Sequence, residues 1–297
     1  SGTKNVPEPC EDRRGFAMKR PRIRLRFSLR ALLVLVFLAA VALGTWRWAA
    51  NEATRQRNLI AQFERRGGRI TSRLPRPGWL PESLDIGQAG RMTMIDLTQL
   101  DMAFIPHLAE FEAVTDVHLS RTSTRDISWL SCFDQLQSLD LSYTQVDDLS
   151  ALRGLKELDY LDLSHTPVSD IAPLAGLPRL QALYLTGTPV ADISPLANSR
   201  SLEILYLPRT KVADIASLER LTSLVDLHLA YTQVRDVGPL RQLHNLKSLS
   251  LAYTPVQDLR PLAKLEKLRS LNLDQVEVSQ RDRAALAAIF NAGQLTP

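Results

Sequence analysis

The sequence predicts an α/β-type repeat solenoid: a right-handed coil with a curved parallel β-sheet, a convex side of 3₁₀ turns, and an N-terminal transmembrane helix. Three observations carry this prediction. A motif recurs every 22 residues, with equivalent starts from Val114 to Leu268. Each unit opens with leucines at period two, the spacing of a half-buried strand. The stretch before the repeats holds a basic run and then an uninterrupted apolar one.

Taken in chain order, residues 1–30 form a basic cytoplasmic tail. Arg13, Arg14, Lys19, Arg20, Arg22, Arg24, Arg26 and Arg30 fall within residues 13–30, with no acid among them. The sixteen apolar residues Ala31–Trp46 follow. As a helix they rise about 24 Å, short of the roughly 30 Å hydrocarbon core. Trp46 and Trp48 sit where an interfacial aromatic belt lies, and Arg30 and Arg47 can snorkel. The span is therefore placed at residues 31–48, in contact with the lipid bilayer. The charge bias orients the tail inward, which puts the repeats of this single-pass chain outside the cytoplasm, although Arg55, Arg57, Arg65, Arg66 and Arg69 weaken it. The same run also reads as a cleaved signal peptide, with Ala40-Val41-Ala42 as the cleavage site and a secreted or periplasmic product. A buried core helix is the third reading.

Residues 49–91 are a juxtamembrane helix and an N-terminal cap or linker. Residues 50–66 read as a helix with the narrow apolar stripe Leu59, Ile60 and Phe63, ended by Gly67-Gly68. Residues 69–91 hold Pro75, Pro77 and Pro81 and read as an irregular link or a rudimentary cap.

Residues 92–278 are the solenoid, about nine coils spanning roughly 40 Å at strand spacing. The consensus is L-x-x-L-x-L-x-x-T-x-V-x-D-[IL]-x-x-L-x-x-L. Leu139 and Leu141 point inward, while Ser138, Asp140 and Ser142 point out. A threonine column from Thr122 to Thr254 marks a corner, where buried hydroxyls can form a ladder between coils. An aspartate column from Asp126 to Asp258 precedes each apolar turn and suits capping of free N–H groups. Calcium is the alternative use, but the glycine-rich nonapeptide is absent. Twenty-two residues leave no room for a full outer helix, and Pro173, Pro195, Pro239 and Pro261 favour 3₁₀ turns. Ser199 breaks the last leucine column and predicts a local irregularity. Residues 279–297 are a capping helix and tail. Ser279 and Asp282 form a start like a capping box, and Leu286, Ile289 and Phe290 cover the last coil.

Charge separates along the chain. Residues 1–91 carry 18 Lys/Arg against 7 Asp/Glu, and residues 112–273 carry 16 against 19. The basic character therefore points to membrane orientation, and the acidic repeats argue against a nucleic-acid groove. Cys10 and Cys132 flank the apolar run and are not expected to pair.

These repeats resemble the 22-residue leucine-rich repeats of bacterial internalin-type proteins, through blocks such as Asp170-Ile171-Ala172-Pro173-Leu174 and Asp192-Ile193-Ser194-Pro195-Leu196. Threonine replaces the usual corner asparagine. The N-terminal part resembles a group of planctomycete membrane-anchored leucine-rich-repeat proteins, through Arg26-Phe27-Ser28-Leu29-Arg30-Ala31-Leu32-Leu33 and Gly67-Gly68-Arg69-Ile70. The resemblance implies a membrane-anchored bacterial binding protein and names no partner.

The outward strand positions give the candidate binding face, the concave one. One row contains His118, Asp140, Asp162, Tyr184, Tyr206 and His228; a second, three residues later, contains Tyr143, His165, Arg209, Tyr231 and Tyr253. Such side chains on a rigid scaffold suit recognition of a protein, with a glycan as the other possibility. A structural spacer or envelope component without a specific partner is the alternative function. Catalysis is not expected. Asp140 and Asp162 lie about 5 Å apart on adjacent strands, a plausible carboxylate-pair separation, but an open face excludes no water. His118 and His228 sit five coils apart, about 24 Å, too far for one metal. No phosphate loop, nucleophile elbow, H-E-x-x-H or paired C-x-x-C is present, so no cofactor is expected. The oligomeric state is left open.

Overall fold

The computed structural model describes residues 114–287 throughout. It also describes strand β1 (Arg69–Thr71), strand β2 (Met94–Asp96) and the helical positions Arg47, Asn51, Thr54, Asn58, Ala61, Glu64 and Arg65. The chain divides into two units, residues 1–49 and 50–297; of the first, only Arg47 is described, and it is helical and exposed. The apolar run 31–46 lies outside the described residues. Among those that are described, no helix is long and apolar enough to cross a membrane.

In the second unit, the helical positions from Asn51 to Arg65 agree with the expected helix, and Arg65 Nε donates to the Ala61 carbonyl at 3.1 Å. The stretch read as an irregular link or a rudimentary cap begins as a strand: β1 pairs antiparallel with β2. Pairing satisfies backbone groups that the edge of a parallel stack otherwise leaves open.

From β2 onward the sheet is parallel. The order continues through β3 (Asp116–His118), β4 (Ser138–Asp140), β5 (Tyr160–Asp162), β6 (Ala182–Tyr184), β7 (Ile204–Tyr206), β8 (Asp226–His228), β9 (Ser248–Ser250) and β10 (Ser270–Asn272). Register is set by the repeat. Ser138 pairs with Tyr160, Tyr160 with Ala182, and Ala182 with Ile204, so each strand meets the same position of the next unit. Every repeat position thereby becomes a straight row along the sheet.

The strands alternate as expected, with Leu139, Leu161, Leu183, Leu205 and Leu227 fully buried at their centres. Leucines from the strand, the valine row and the turn leucines fuse into one continuous core. A fully buried leucine contributes about 1.5–3 kcal/mol, so each coil depends on burial supplied by its neighbours. Seven 3₁₀ turns back the described sheet, from Ser128–Cys132 to Arg260–Lys264. Four have proline in the first two positions, where a missing N–H leaves no bond unmade. Ser199 causes no irregularity. The turn Ser194–Asn198 keeps its form, and Ser199 accepts from Leu202 N at 3.0 Å, as leucine does elsewhere in the row.

The two polar rows divide the corner and the turn between them. Each aspartate from Asp126 to Asp258 accepts from the backbone N–H two residues later, at 2.7–3.0 Å in all seven coils. The carboxylate therefore acts as an Asx turn one residue ahead of the helical cap. The threonines do not form the expected ladder. Thr144, Thr166, Thr188, Thr210, Thr232 and Thr254 each donate to the carbonyl three residues earlier in their own coil. In several coils that carbonyl also accepts from the threonine's own backbone N–H, as Leu163 O does from Thr166, so the hydroxyl closes the corner and not the gap between coils.

Helix α1 (Gln280–Leu286) closes the stack with a complete capping box between Ser279 and Asp282. Asp282 is buried and also accepts from Leu259 N at 3.0 Å, which joins the helix to the last turn. Leu286 is fully buried against the core; Ile289 and Phe290 lie outside the described residues.

Candidate interaction face

Two parallel rows build the face, and they differ in backbone. The strand row is extended. The rim row, three residues later, is left-handed: Arg121, Tyr143, His165, Arg209, Tyr231, Tyr253 and Gln275 have φ between 57° and 61°, and Gly187 has 72°. The corner imposes this. Its N–H must still reach the next coil, as Tyr143 N does to Ser164 O at 2.8 Å and Tyr231 N to Ala252 O at 2.9 Å. A side chain in this region costs roughly 1–2 kcal/mol relative to the right-handed one. Glycine escapes that cost, yet seven of the eight described coils place a side chain there.

Those side chains stack along the rim. Arg121 lies 4.9 Å over the Tyr143 ring, and Tyr143 stacks on His165 with centroids 4.4 Å apart. Beyond Gly187 the pattern restarts: Arg209 lies 4.9 Å over Tyr231, and Tyr231 stacks on Tyr253 at 4.3 Å and 8°. Tyr143, Tyr231 and Tyr253 are the exposed large hydrophobic residues among those described, at 44–47%.

In the strand row, Tyr184 meets Tyr206 edge-on at 4.9 Å, and Tyr206 stacks on His228 at 4.1 Å and 13°. Sequence reasoning missed two members of this cluster. Tyr160, first residue of β5, extends the row with its ring 5.4 Å from Tyr184. Asp226, first residue of β8, accepts from the Tyr206 hydroxyl at 2.8 Å through Oδ2. Its Oδ1 lies 3.1 Å from His228 Nε2, an ion-pair distance when the ring is protonated, and takes no hydrogen bond among the described residues. The period-two alternation points first strand positions outward too, so both residues were within reach of the sequence pattern. Burial first, then the Asp162 charge, pushes the Tyr160 phenol up to about 12. Burial and the bond to Asp226 push Tyr206 up to about 12. Both phenols stay protonated donors at neutral pH.

The acidic end of the face is more constrained than expected. Asp140 accepts from both the N–H and hydroxyl of Ser142 at 2.9 and 2.7 Å, and Asp162 from Ser164 N at 2.8 Å. Ser142 is buried, and Ser164 half-buried. His118 Nδ1 lies 4.0 Å from Asp140 Oδ2. Burial raises both carboxyls, but bonds from His118 and Ser142 outweigh it at Asp140, which ends below the usual 3.8. At Asp162 burial wins over the Ser164 bonds, and the Asp140 charge adds to it, so Asp162 ends above 3.8. One oxygen of each acid is thus committed to its own turn. Among the described residues no group of three or more His, Cys, Asp or Glu converges to hold a metal ion.

Residues 156–198 match the family model for leucine-rich repeats, in two copies. These are leucine-rich repeats. Among solved structures, an internalin (inlF) from Listeria monocytogenes is similar at 28% identity and TM-score 0.57, over 64% of this chain and 56% of that one. A second Listeria monocytogenes structure, an internalin C2, is similar at 28% identity and TM-score 0.58, over 61% of this chain and 80% of that one. The leucine-rich-repeat ectodomain of a plant membrane receptor kinase from Arabidopsis thaliana, in complex with Casparian strip integrity factor 2, shares the fold. Its identity is 20% and its TM-score 0.57, over 68% of this chain and 26% of that one. The chain thus spans just over half the length of the first internalin. No curated protein sequence matches it.

Proposed function

We propose that this chain is a membrane-anchored, non-catalytic binding module that recognises a protein partner through the open sheet face. The rim row carries the reading. Stacked, exposed Arg, Tyr and His side chains are held at a backbone conformation where glycine is cheaper, and strain that persists this way favours a functional use of those side chains. Tyr and Arg are also the residue types that dominate binding energy at interfaces. The partner contacts are His118, Asp140, Tyr143, Asp162, His165, Tyr184, Tyr206, Arg209, His228, Tyr231 and Tyr253. The receptor ectodomain with the same fold, in complex with Casparian strip integrity factor 2, supports a protein ligand over a glycan.

The anchor is residues 31–48, with residues 1–30 cytoplasmic and the repeats of 92–278, capped by 279–297, outside the cytoplasm. Residues 49–91 link the two. Protease treatment of intact cells tests the topology: the repeats should be digested from outside, and protection there with digestion in inverted vesicles would reverse it. Proximity capture in intact cells tests the face. The variant Tyr184→Ala/Tyr206→Ala/Tyr231→Ala should lose a captured protein while still folding and unfolding cooperatively, with a lowered thermal midpoint from the lost stacking. An unchanged capture profile would sink the recognition reading.

A further inference from the structure

The parallel strands end differently at the two sides of the sheet. At one side, β1 lays an antiparallel strand on β2. At the other, β10 pairs with β9 alone. Leu271 stands opposite Leu249, and the bonds to β9 run through the residues on either side of it. Ser270 N donates to Lys247 O at 3.0 Å, and Asn272 O accepts from Leu251 N at 2.9 Å. The N–H and C=O of Leu271 therefore point away from β9. Arg269 O and Leu273 N point the same way, because their counterparts one coil earlier, Lys247 O and Leu251 N, are the groups that reach β10. Among the described residues, nothing bonds to these outward groups. Apolar surface is open there too. The central leucines from Leu139 to Leu249 are at most 1% exposed, whereas Leu271 is only half-buried, as are Val276 and Val278 of the same coil. Helix α1 stands against the turn Arg260–Lys264, and Ser270 and Asn272 remain exposed.

We propose that this edge pairs antiparallel with the same edge of a second copy of the chain, about a two-fold axis through Leu271. The outward groups are the set that such a pair uses. Leu271 N donates to Leu271 O of the second copy, Leu273 N donates to its Arg269 O, and the axis repeats both bonds. The charges are self-complementary in the same sense. The strand enters with Lys267 and Arg269 and leaves with Asp274 and Glu277, all exposed. Neither Arg269 nor Asp274 makes an ion pair among the described residues. Antiparallel pairing lays the basic start of one strand beside the acidic end of the other, Arg269 next to Asp274. A parallel neighbour in the register of the coils sets like charges together. The contact between β1 and β2 shows that an end coil accepts an antiparallel strand. Burial of Leu271 and of an open strand edge supplies the driving force. The inference stands apart from the reading of the aromatic face.

Sedimentation velocity of the full chain in detergent, over a concentration series, tests this. A reversible dimer is expected. Arg269→Glu should weaken it by about tenfold, since it sets acids together on both sides of the axis, and Arg269→Glu/Asp274→Arg should restore it. Circular dichroism should be unchanged in both, because these side chains are exposed. Cysteine pairing tests the register. Ser270 lies directly opposite Asn272 of the second copy, in the closely spaced kind of pair that a disulfide can bridge. In a background of Cys10→Ser/Cys132→Ser, a mixture of Ser270→Cys and Asn272→Cys chains should oxidise to a linked dimer far more readily than either chain alone. A chain that stays monomeric overturns the proposal, as does a dimer that ignores both charge variants or cross-links equally in the mixture and in the single variants. A monomer whose Leu271 and Leu273 amides resist hydrogen exchange overturns it as well, and gives the edge to a segment of the same chain.

Discussion

Replacing Tyr231 by alanine and, separately, by glycine separates stacking from backbone strain in the rim row. Tyr231 has φ 59°, a face on Tyr253 at 4.3 Å and a second face under Arg209 at 4.9 Å. The ring stack is worth about 0.5–1.5 kcal/mol and the exposed cation–π contact about 0.5–1 kcal/mol. Both substitutions remove these contacts, a loss of roughly 1–2.5 kcal/mol. Alanine keeps the left-handed strain; glycine relieves about 1 kcal/mol or more of it. Tyr231→Ala should therefore destabilise the chain by about 1–2.5 kcal/mol, and Tyr231→Gly by about 1 kcal/mol less. Urea unfolding followed by far-UV circular dichroism measures both, provided the m-value is unchanged. A glycine variant less stable than the alanine variant would refute the argument. It would mean that the rim conformation is not strained for a side chain, and the functional reading of the row would lose its foundation.

Three further outcomes are expected. Asp282→Ala removes a buried acceptor shared by Leu259 N and Ser279, and should cost about 2–4 kcal/mol; the Leu259 amide should lose its hydrogen-exchange protection first, and retained protection there would exclude the joint between cap and core. Asp170→Ala opens one Asx turn and should cost about 1 kcal/mol by the same urea assay, with Asp170→Asn retaining most of it because an amide oxygen still accepts from Ala172 N. Asp140 and Asp162, neighbours in register, should titrate on opposite sides of 3.8 by carboxyl ¹³C NMR, with Asp162 the higher; the reverse order would contradict the balance of burial and hydrogen bonding. The signs for stability follow. The folded chain holds the Asp162 proton more readily than the unfolded chain, so this group favours folding as pH falls through its raised value and opposes it at neutral pH. Asp140 contributes stability above the ordinary carboxylate value and loses it as pH falls through its lowered one. Asp162→Asn should accordingly gain stability at neutral pH.

The strong periodic signals in the sequence correspond to forces that act within one repeat. Leucine alternation fixes which strand residues face the core, and Asp170 two residues before Ala172 fixes an Asx turn. The cap at Ser279 and Asp282 is equally local, because both partners lie three residues apart. These parts of the fold are legible in the sequence alone. The rows of the candidate face were legible too, since a constant period stacks equal positions.

What the sequence left open depends on contacts between coils and on backbone geometry. Nothing in Arg121, Tyr143 or Tyr231 announces a positive φ; Gly187 alone carries the usual signal, and it is the exception in its row. Asp140 and Asp162 read only as an outward pair on adjacent strands, because their serine partners look like ordinary surface residues. Threonine's hydroxyl was assigned to the neighbouring coil because its burial was foreseeable and its nearest acceptor was not. The sequence by itself determined the coil, its register and its polar face, since hydrophobic burial at a fixed period admits few other arrangements. The tertiary structure alone decided how that face is organised. Stacking, desolvation and the left-handed corner are set by distances between residues 22 apart, and those exist only once the coils lie side by side.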